Sequence, residues 1–193
     1  MNQAIPPHKP PRIRDHALEL SEVLEGLLTD GMIGPEQARQ LRISTLESRE
    51  KLHPLQRVAL CEWANARQPQ KRLTLEALVQ WLAAKTELPY LRIDPLSIEV
   101  GRVTTVVSYA YAARLKILPV KVTQDEVTIA TAEPWLREWE QDLSTMLKRR
   151  VQRVLANPLD IDRYLVEFYA LAKSVKASSE ERAKFATFGG TPE

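Results

Sequence analysis

The chemically capable side chains of this chain are three histidines, one cysteine and a tight run of arginines, and their spacing decides what they are able to do. His8, His16 and His53 fall in a proline-rich leader, at a helix start and in a loop, respectively. None has companions at the spacing that a metal site, or a set of nucleophile, base and orienting group, demands. His16 shares a helical face with Glu19 and Glu22, a pattern that a solvated helix of mixed charge explains by itself. Cys61 is the single cysteine, which excludes an intramolecular disulfide and a cysteine-based zinc cage and reads as a small buried apolar side chain. No stretch fits GxxxxGK[ST], the spacing that lets backbone N–H groups and a lysine wrap a triphosphate. No catalytic residue, metal ligand or cofactor is therefore assigned to this chain.

Lys148, Arg149 and Arg150, with Arg153 close behind, form the densest basic cluster, where a helix gives way to a strand. Two readings stand side by side. Arg149, Arg150 and Arg153 are weak candidates for holding a phosphate, because alternation along a strand lets Arg149 and Arg153 point the same way. Alternatively, the cations complement the negative end of the helix dipole and stay solvated. Trp135 and Trp139, four residues apart, read as divided between core and rim rather than as a base-stacking platform. Twenty-seven Lys and Arg against 25 Asp and Glu leave a formal charge of only +2, so no global field draws the protein onto nucleic acid or an anionic bilayer. No window approaches the roughly 20 apolar residues that span a membrane.

The elements that must carry these residues fall into two units. Residues 1–14 include four of the thirteen prolines and no apolar periodicity, and read as a disordered leader. Leu18, Val23, Leu24, Leu27 and Leu28 recur at helical spacing up to Gly31, and Pro35 opens a second helix with Ala38 and Leu41. A third apolar series runs from Leu55 through Val58 and Ala59 to Glu62 and Trp63; QPQK breaks it, and Thr74 caps a helix with Leu78, Trp81 and Leu82. Residues 15–87 thus read as a small helical bundle.

From residue 88 the pattern changes. A helix bearing Val103, Val106, Val107, Ala110, Tyr111 and Arg114 precedes two alternating runs, Leu118 to Val122 and Val127 to Thr131, which form a hairpin. A helix with Leu136, Trp139, Leu143, Met146 and Leu147 leads to a third strand, VQRVLA, and Asn157-Pro158 opens a last helix with Ile161, Leu165, Phe168 and Ala172 inward. The fold class read from this order is α+β: a helical bundle followed, over residues 88–172, by a three-stranded antiparallel sheet packed with helices, the third strand lying beside the first. Residues 173–193, rich in Ser, Lys and Glu, read as a linker.

Between Leu88 and Tyr169 the segments LPYLRIDPL, RLKILPVKVTQDEVTIATAEP and VQRVLANPLDIDRYLVEFY resemble the amino-terminal domain of the hexameric ATPases of type II secretion and type IV pilus assembly, the GspE/PilB family. The resemblance is weaker over residues 15–86. It implies that the chain continues past Glu193 into a motor domain, and that this part is a non-catalytic docking or regulatory domain. The implied partners are that motor and an inner-membrane platform protein, the GspL-like cytoplasmic domain. The implied location is the cytoplasm, with the membrane reached only through partners. Leu24, Leu27, Leu28, Met32 and Trp135 are the candidate docking residues; the four aliphatic ones fit an internal core equally well. Trp135 stands where the family has a short acidic or polar residue after its AEP segment.

Some members of that family sense cyclic di-GMP through tandem motifs resembling RLGxxLVxxGxIxxxxLxxALxxQ. Leu27, Leu28, Gly31 and Ile33 fit the middle of the first copy, but Glu22, Val23 and Leu24 occupy the opening Arg, Leu and Gly positions. Ala38, Leu41, Arg42 and Thr45 fit its end poorly, and the second copy keeps only the shape of WLAAKTELPY. A carboxylate in place of the phosphate-facing guanidinium turns attraction into repulsion, so no tight cyclic di-GMP binding is expected by that mode. Nucleotide sensing remains the alternative to docking, through the basic cluster or a degenerate motif.

Overall fold

The structure, a computed structural model, describes residues 15–47 and 51–188. The leader expected over residues 1–14, His8 included, lies outside them. Helix α1 (Leu20–Thr29) begins where the Glu22 carboxylate accepts the Glu19 N–H at 2.9 Å, and ends at Asp30 before Gly31, whose φ of +64° suits a residue without Cβ. Helix α2 (Pro35–Glu47) starts on a proline, where a missing N–H goes unneeded. Helix α3 (Pro54–Ala59) is capped by His53 and α4 (Leu75–Lys85) by Thr74, whose hydroxyl accepts the Ala77 N–H at 3.2 Å.

The third helical series is shorter than its sequence pattern. Glu62 has a φ of +51°, which stops the helix, and the chain enters a small antiparallel hairpin, β1 (Ala64–Asn65) with β2 (Gln68–Arg72). The helical unit therefore contains a two-stranded sheet where the sequence suggested only a break.

In the second unit a 3₁₀ turn (Pro95–Ser97) precedes two short helices, α5 (Val100–Val103) and α6 (Tyr109–Leu115), in place of the single helix expected there. Ser108 divides them by capping α6, its hydroxyl accepting the Tyr111 N–H. Strands β3 (Ile117–Val122), β4 (Glu126–Thr131) and β5 (Arg150–Leu155) form one sheet in the order β3-β4-β5. The α+β class holds, but the sheet is mixed. β3 and β4 are antiparallel, whereas β5 lies parallel to β4, reached through helix α7 (Glu138–Leu147), and does not touch β3. Pro119 supplies the reason: it offers no N–H to a ladder, so β3 must remain an edge strand and the third strand adds to β4.

Helix α8 (Pro158–Phe188) has 31 residues and spans roughly 46 Å. It packs on β3 and β4 through Ile161, Tyr164, Leu165 and Phe168, then continues to Phe188 through the described part of the segment read as linker. That segment is rich in Ala and holds no Pro or Gly before residue 189, so nothing in it stops a helix already nucleated upstream.

Each unit has its own buried cluster, one around Leu24, Leu27, Leu55 and Leu78, the other around Ile117, Ile129, Leu143 and Ile161. Leu155 lies on β5 yet packs with the helical cluster, and Trp135 leans on the same cluster from the loop after β4. The two cores are thus joined through the end of the sheet.

Candidate functional site

The best-furnished region is the seam between the two units. Asp15 stands just before the first helix, and its carboxylate accepts the backbone N–H of Arg137 at 2.9 Å and of Glu138 at 2.6 Å, which fills the open N-terminus of α7 across 122 residues of sequence. The Glu133 carboxylate accepts the Leu18 N–H at 2.6 Å through one oxygen and faces His53 Nε2 at 3.4 Å through the other. His16 stacks on Trp135, with ring centroids 6.4 Å apart, and its Nε2 lies 2.8 Å from Glu22. Asn157 donates to Glu76 at 3.2 Å, and Leu155 exchanges backbone bonds with Pro89 and Leu91.

Beside these contacts a cleft of about 330 Å³ is lined by Leu18, Lys51, His53, Lys116, Glu133 and Asp162. Its chemistry is limited. Lys116 is already paired with Asp162 at 2.6 Å, and Glu133 is engaged as described. Among the described residues no group of three His, Cys, Asp or Glu side chains is arranged to hold a metal. Cys61 lies elsewhere, its thiol directed at the Arg57 carbonyl and pushed up in pKa by burial, away from the thiolate that nucleophilic chemistry requires. The charged side chains that line the cleft are thus largely engaged with one another, Lys116 with Asp162 and Glu133 with Leu18 and His53.

The arginine cluster does not converge. Arg149 donates to the Gln124 carbonyl at the β3–β4 turn, and Arg150 faces Glu126 at 3.6 Å on the exposed sheet end. Arg153, only 9% exposed, donates to the Pro134 carbonyl at 2.8 Å and pairs with Glu140 at 3.1 Å, at the opposite end of β4. Burial pulls its pKa down while Glu140 pulls it back up. With Arg149 held at the β3–β4 turn and Arg153 at the far end of β4, the two guanidinium groups do not converge on one site. Arg153 instead ties α7 to the turn that carries Trp135.

The five docking candidates separate in the same way. Leu24 and Leu27 are 0% exposed and belong to the core, so neither is available to a partner. Leu28, Met32 and Trp135 are partly buried and pack against that core while keeping some surface. In the first cyclic-dinucleotide motif, Glu22 is committed to the start of α1 and to His16, and Val23 and Leu24 are internal. Sequence reading missed Asp15, Glu133 and Glu140 as organisers of the seam. The partners of Asp15 and Glu133 are distant in sequence, and no local pattern marks a cap supplied from another unit; Glu140 acts within the sheet unit, on Arg137 and Arg153. Among the described residues no helix is long and apolar enough to cross a membrane.

Comparison with known proteins gives this geometry a context. Residues 86–175 match the MshEN domain family. Over 163 residues the chain is 36% identical to the type IV pilus assembly ATPase TfpB of Acinetobacter baylyi (strain ATCC 33305 / BD413 / ADP1), a match that takes in 83% of this chain and 28% of that protein. Among solved structures, that of MshE with cdg superposes with a TM-score of 0.55 at 16% identity, covering 76% of this chain and 98% of that one. The N-terminal domain of XpsE gives a TM-score of 0.36 at 14% identity, over 79% of this chain and 97% of that one. The chain spans 28% of the length of the curated relative it matches.

Proposed function

Because residues 86–175 form an MshEN domain and the chain is homologous to the N-terminal region of a type IV pilus assembly ATPase, we propose that it is a non-catalytic docking domain that couples such a motor to its inner-membrane platform. The observation that carries this reading is the shape of the match to TfpB: it takes in 83% of this chain but 28% of that ATPase, and no phosphate-binding loop occurs in these 193 residues. A part that lacks the nucleotide cradle contributes to a motor by position and contact. The seam supports the same role, since capping α7 with Asp15 and holding Glu133 against Leu18 fixes one unit on the other, and a stiff body transmits force better than a loose pair. On this reading the partners are the motor and a GspL-like cytoplasmic domain, and the protein works in the cytoplasm beside the inner membrane.

Biolayer interferometry with the cytoplasmic domain of the platform protein tests it. Saturable binding that survives moderate salt is expected. No binding at high micromolar concentration, with the protein folded, removes the docking role.

A second reading has one observation in its favour, the fold likeness to MshE with cdg, taking cdg as cyclic di-GMP. The residues argue against it. Glu22 places a carboxylate where the motif needs a guanidinium, and that carboxylate is already engaged at Glu19 and His16. On our reading this chain keeps the fold of the nucleotide-binding relatives without their phosphate grip.

A further inference from the structure

Beyond Tyr169, helix α8 leaves the body of the protein. Leu171 is 51% exposed, and from Lys173 to Ala183 every side chain is exposed, Val175 at 58% among them. This half is poorly equipped to stand by itself. Ser174, Ser178 and Ser179 each donate to the carbonyl four residues back, a habit that weakens helices, and a helix without a packed face is marginal in water.

Where the helix departs, a groove of about 560 Å³ opens between α8 and α5, with Val100, Leu171 and Val175 as its apolar surface and Gly101 in its wall. The walls are fixed: the Tyr169 hydroxyl donates to the Val107 carbonyl at 2.9 Å, and the rings of Tyr109 and Tyr169 meet edge to face at 5.6 Å. Lys173 and Lys176 line the rim, neither in an ion pair among the described residues, and no carboxylate lines the groove.

Gly101 is the informative residue. Gly26 is explained by Trp81, which a Cβ would meet at 2.8 Å, and Gly31 by its positive φ. Gly101 has neither reason: its φ is ordinary, a Cβ there would meet nothing within 4 Å, and glycine inside a helix is entropically unfavourable. The fold does not require it, but the close approach of another backbone would.

We propose that this groove docks an amphipathic helix of a protein partner, with an apolar ridge seated on Val100, Leu171 and Val175, its backbone passing close to Gly101, and Asp or Glu flanks meeting Lys173 and Lys176. This is helix-in-groove recognition with charge complementarity setting the partner's sign. The inference rests on the docking reading for the existence of a partner, and adds the surface and the partner's chemistry.

The test is selection from a displayed library of amphipathic 15-residue helices against the full chain, followed by titration of the recovered peptides. Acidic-flanked sequences are expected, losing at least tenfold in affinity on Gly101→Leu and on Val175→Asp, with both variants melting as the parent does. The double variant Lys173→Glu/Lys176→Glu should reverse the preference toward basic peptides. Recovery of no peptide, of basic peptides, or of peptides indifferent to Gly101→Leu overturns the proposal. So does light scattering that shows a dimer dissolved by Val175→Asp, which assigns the groove to a second copy. Binding of the variants to vesicles of three parts phosphatidylcholine to one part phosphatidylserine separates the remaining case: loss of vesicle binding on Val175→Asp without peptide recovery assigns the face to lipid and also overturns it. If the platform domain still binds Gly101→Leu at full strength, the groove fails as its seat while the docking role stands. If selected acidic peptides bind and the platform domain does not, the reverse holds.

Discussion

The helical unit and the sheet unit have cores of similar kind but are specified in different ways. In the sheet unit, Val, Ile and Leu concentrated along β3 to β5 and a proline at the edge fix strands and order together. In the helical unit, a few pointed polar contacts hold the apolar surfaces in place. Asp30 at the end of α1 accepts the Trp81 indole N–H at 2.7 Å and Lys85 at 2.8 Å, and Gly26 lets the Trp81 ring lie against α1. A sheet tolerates surface change because its ladder is backbone, whereas a bundle set by single side-chain contacts has few it can lose. Variants that strike these contacts, or the residue shared by both units, sharpen or break that contrast.

The largest effect is expected at Leu155. Truncation to Ala opens a cavity in the helical cluster from a residue of the sheet, and should remove about 2–5 kcal/mol in urea unfolding, with probes in both units shifting together. Separate transitions for the two units would break the view of a single body. Next is Gly26→Ala. A Cβ 2.8 Å from Trp81 forces the ring or the helix to move, at about 1–3 kcal/mol, confined to the helical unit and visible as a change in Trp fluorescence.

Asp30→Asn should cost about 1 kcal/mol, because the Trp81 bond loses its charged acceptor and the Lys85 pair is half exposed. Its pH signature is more specific. Lys85 and Trp81 hold the Asp30 carboxyl below its usual range, so the stabilisation is present above the unfolded pKa near 4 and lost as pH falls through the lower folded value. Acid unfolding of the variant should be correspondingly flatter below pH 4.

Tyr169→Phe is expected to be the mildest, about 0.5–1.5 kcal/mol for the bond to Val107. Burial raises the Tyr169 pKa to about 12, so its contribution is complete below pH 10 and disappears as pH climbs toward 12. The Phe variant should lose less stability over that alkaline range than the parent, by chemical denaturation at fixed pH.

The same contrast explains what the sequence could disclose. Helices α1, α2 and α4 were readable because burial imposes a period on them, and strands β3 to β5 because they are short runs rich in Val, Ile and Leu between breaks. The β1–β2 hairpin was not, since Gln68 to Arg72 is exposed throughout and carries no alternation. The pair α5 and α6 looked like one helix because Val106 and Val107, in the break, are buried by an irregular backbone at the spacing a helix would use. Pro119 did carry the strand order, as an edge signal that the hairpin reading passed over. In the candidate site, Leu24 and Leu27 could not be divided from Leu28 and Met32 by spacing, because all four share a helix side or its end and only packing by the neighbouring helices, α2 and α3 foremost, decides which keeps surface. Asp15 and Glu133 depend on contacts between units, for which no local pattern exists.

The central proposal is that this chain acts by docking and has no grip on a cyclic dinucleotide. Isothermal titration of one preparation of the full chain, first with cyclic di-GMP and then with the platform protein's cytoplasmic domain, tests it most directly. The account predicts no saturable heat from the nucleotide at a concentration of about 100 μM, an affinity below roughly 5 kcal/mol, and saturable heat from the platform domain. Tight nucleotide binding with a silent platform domain would contradict it.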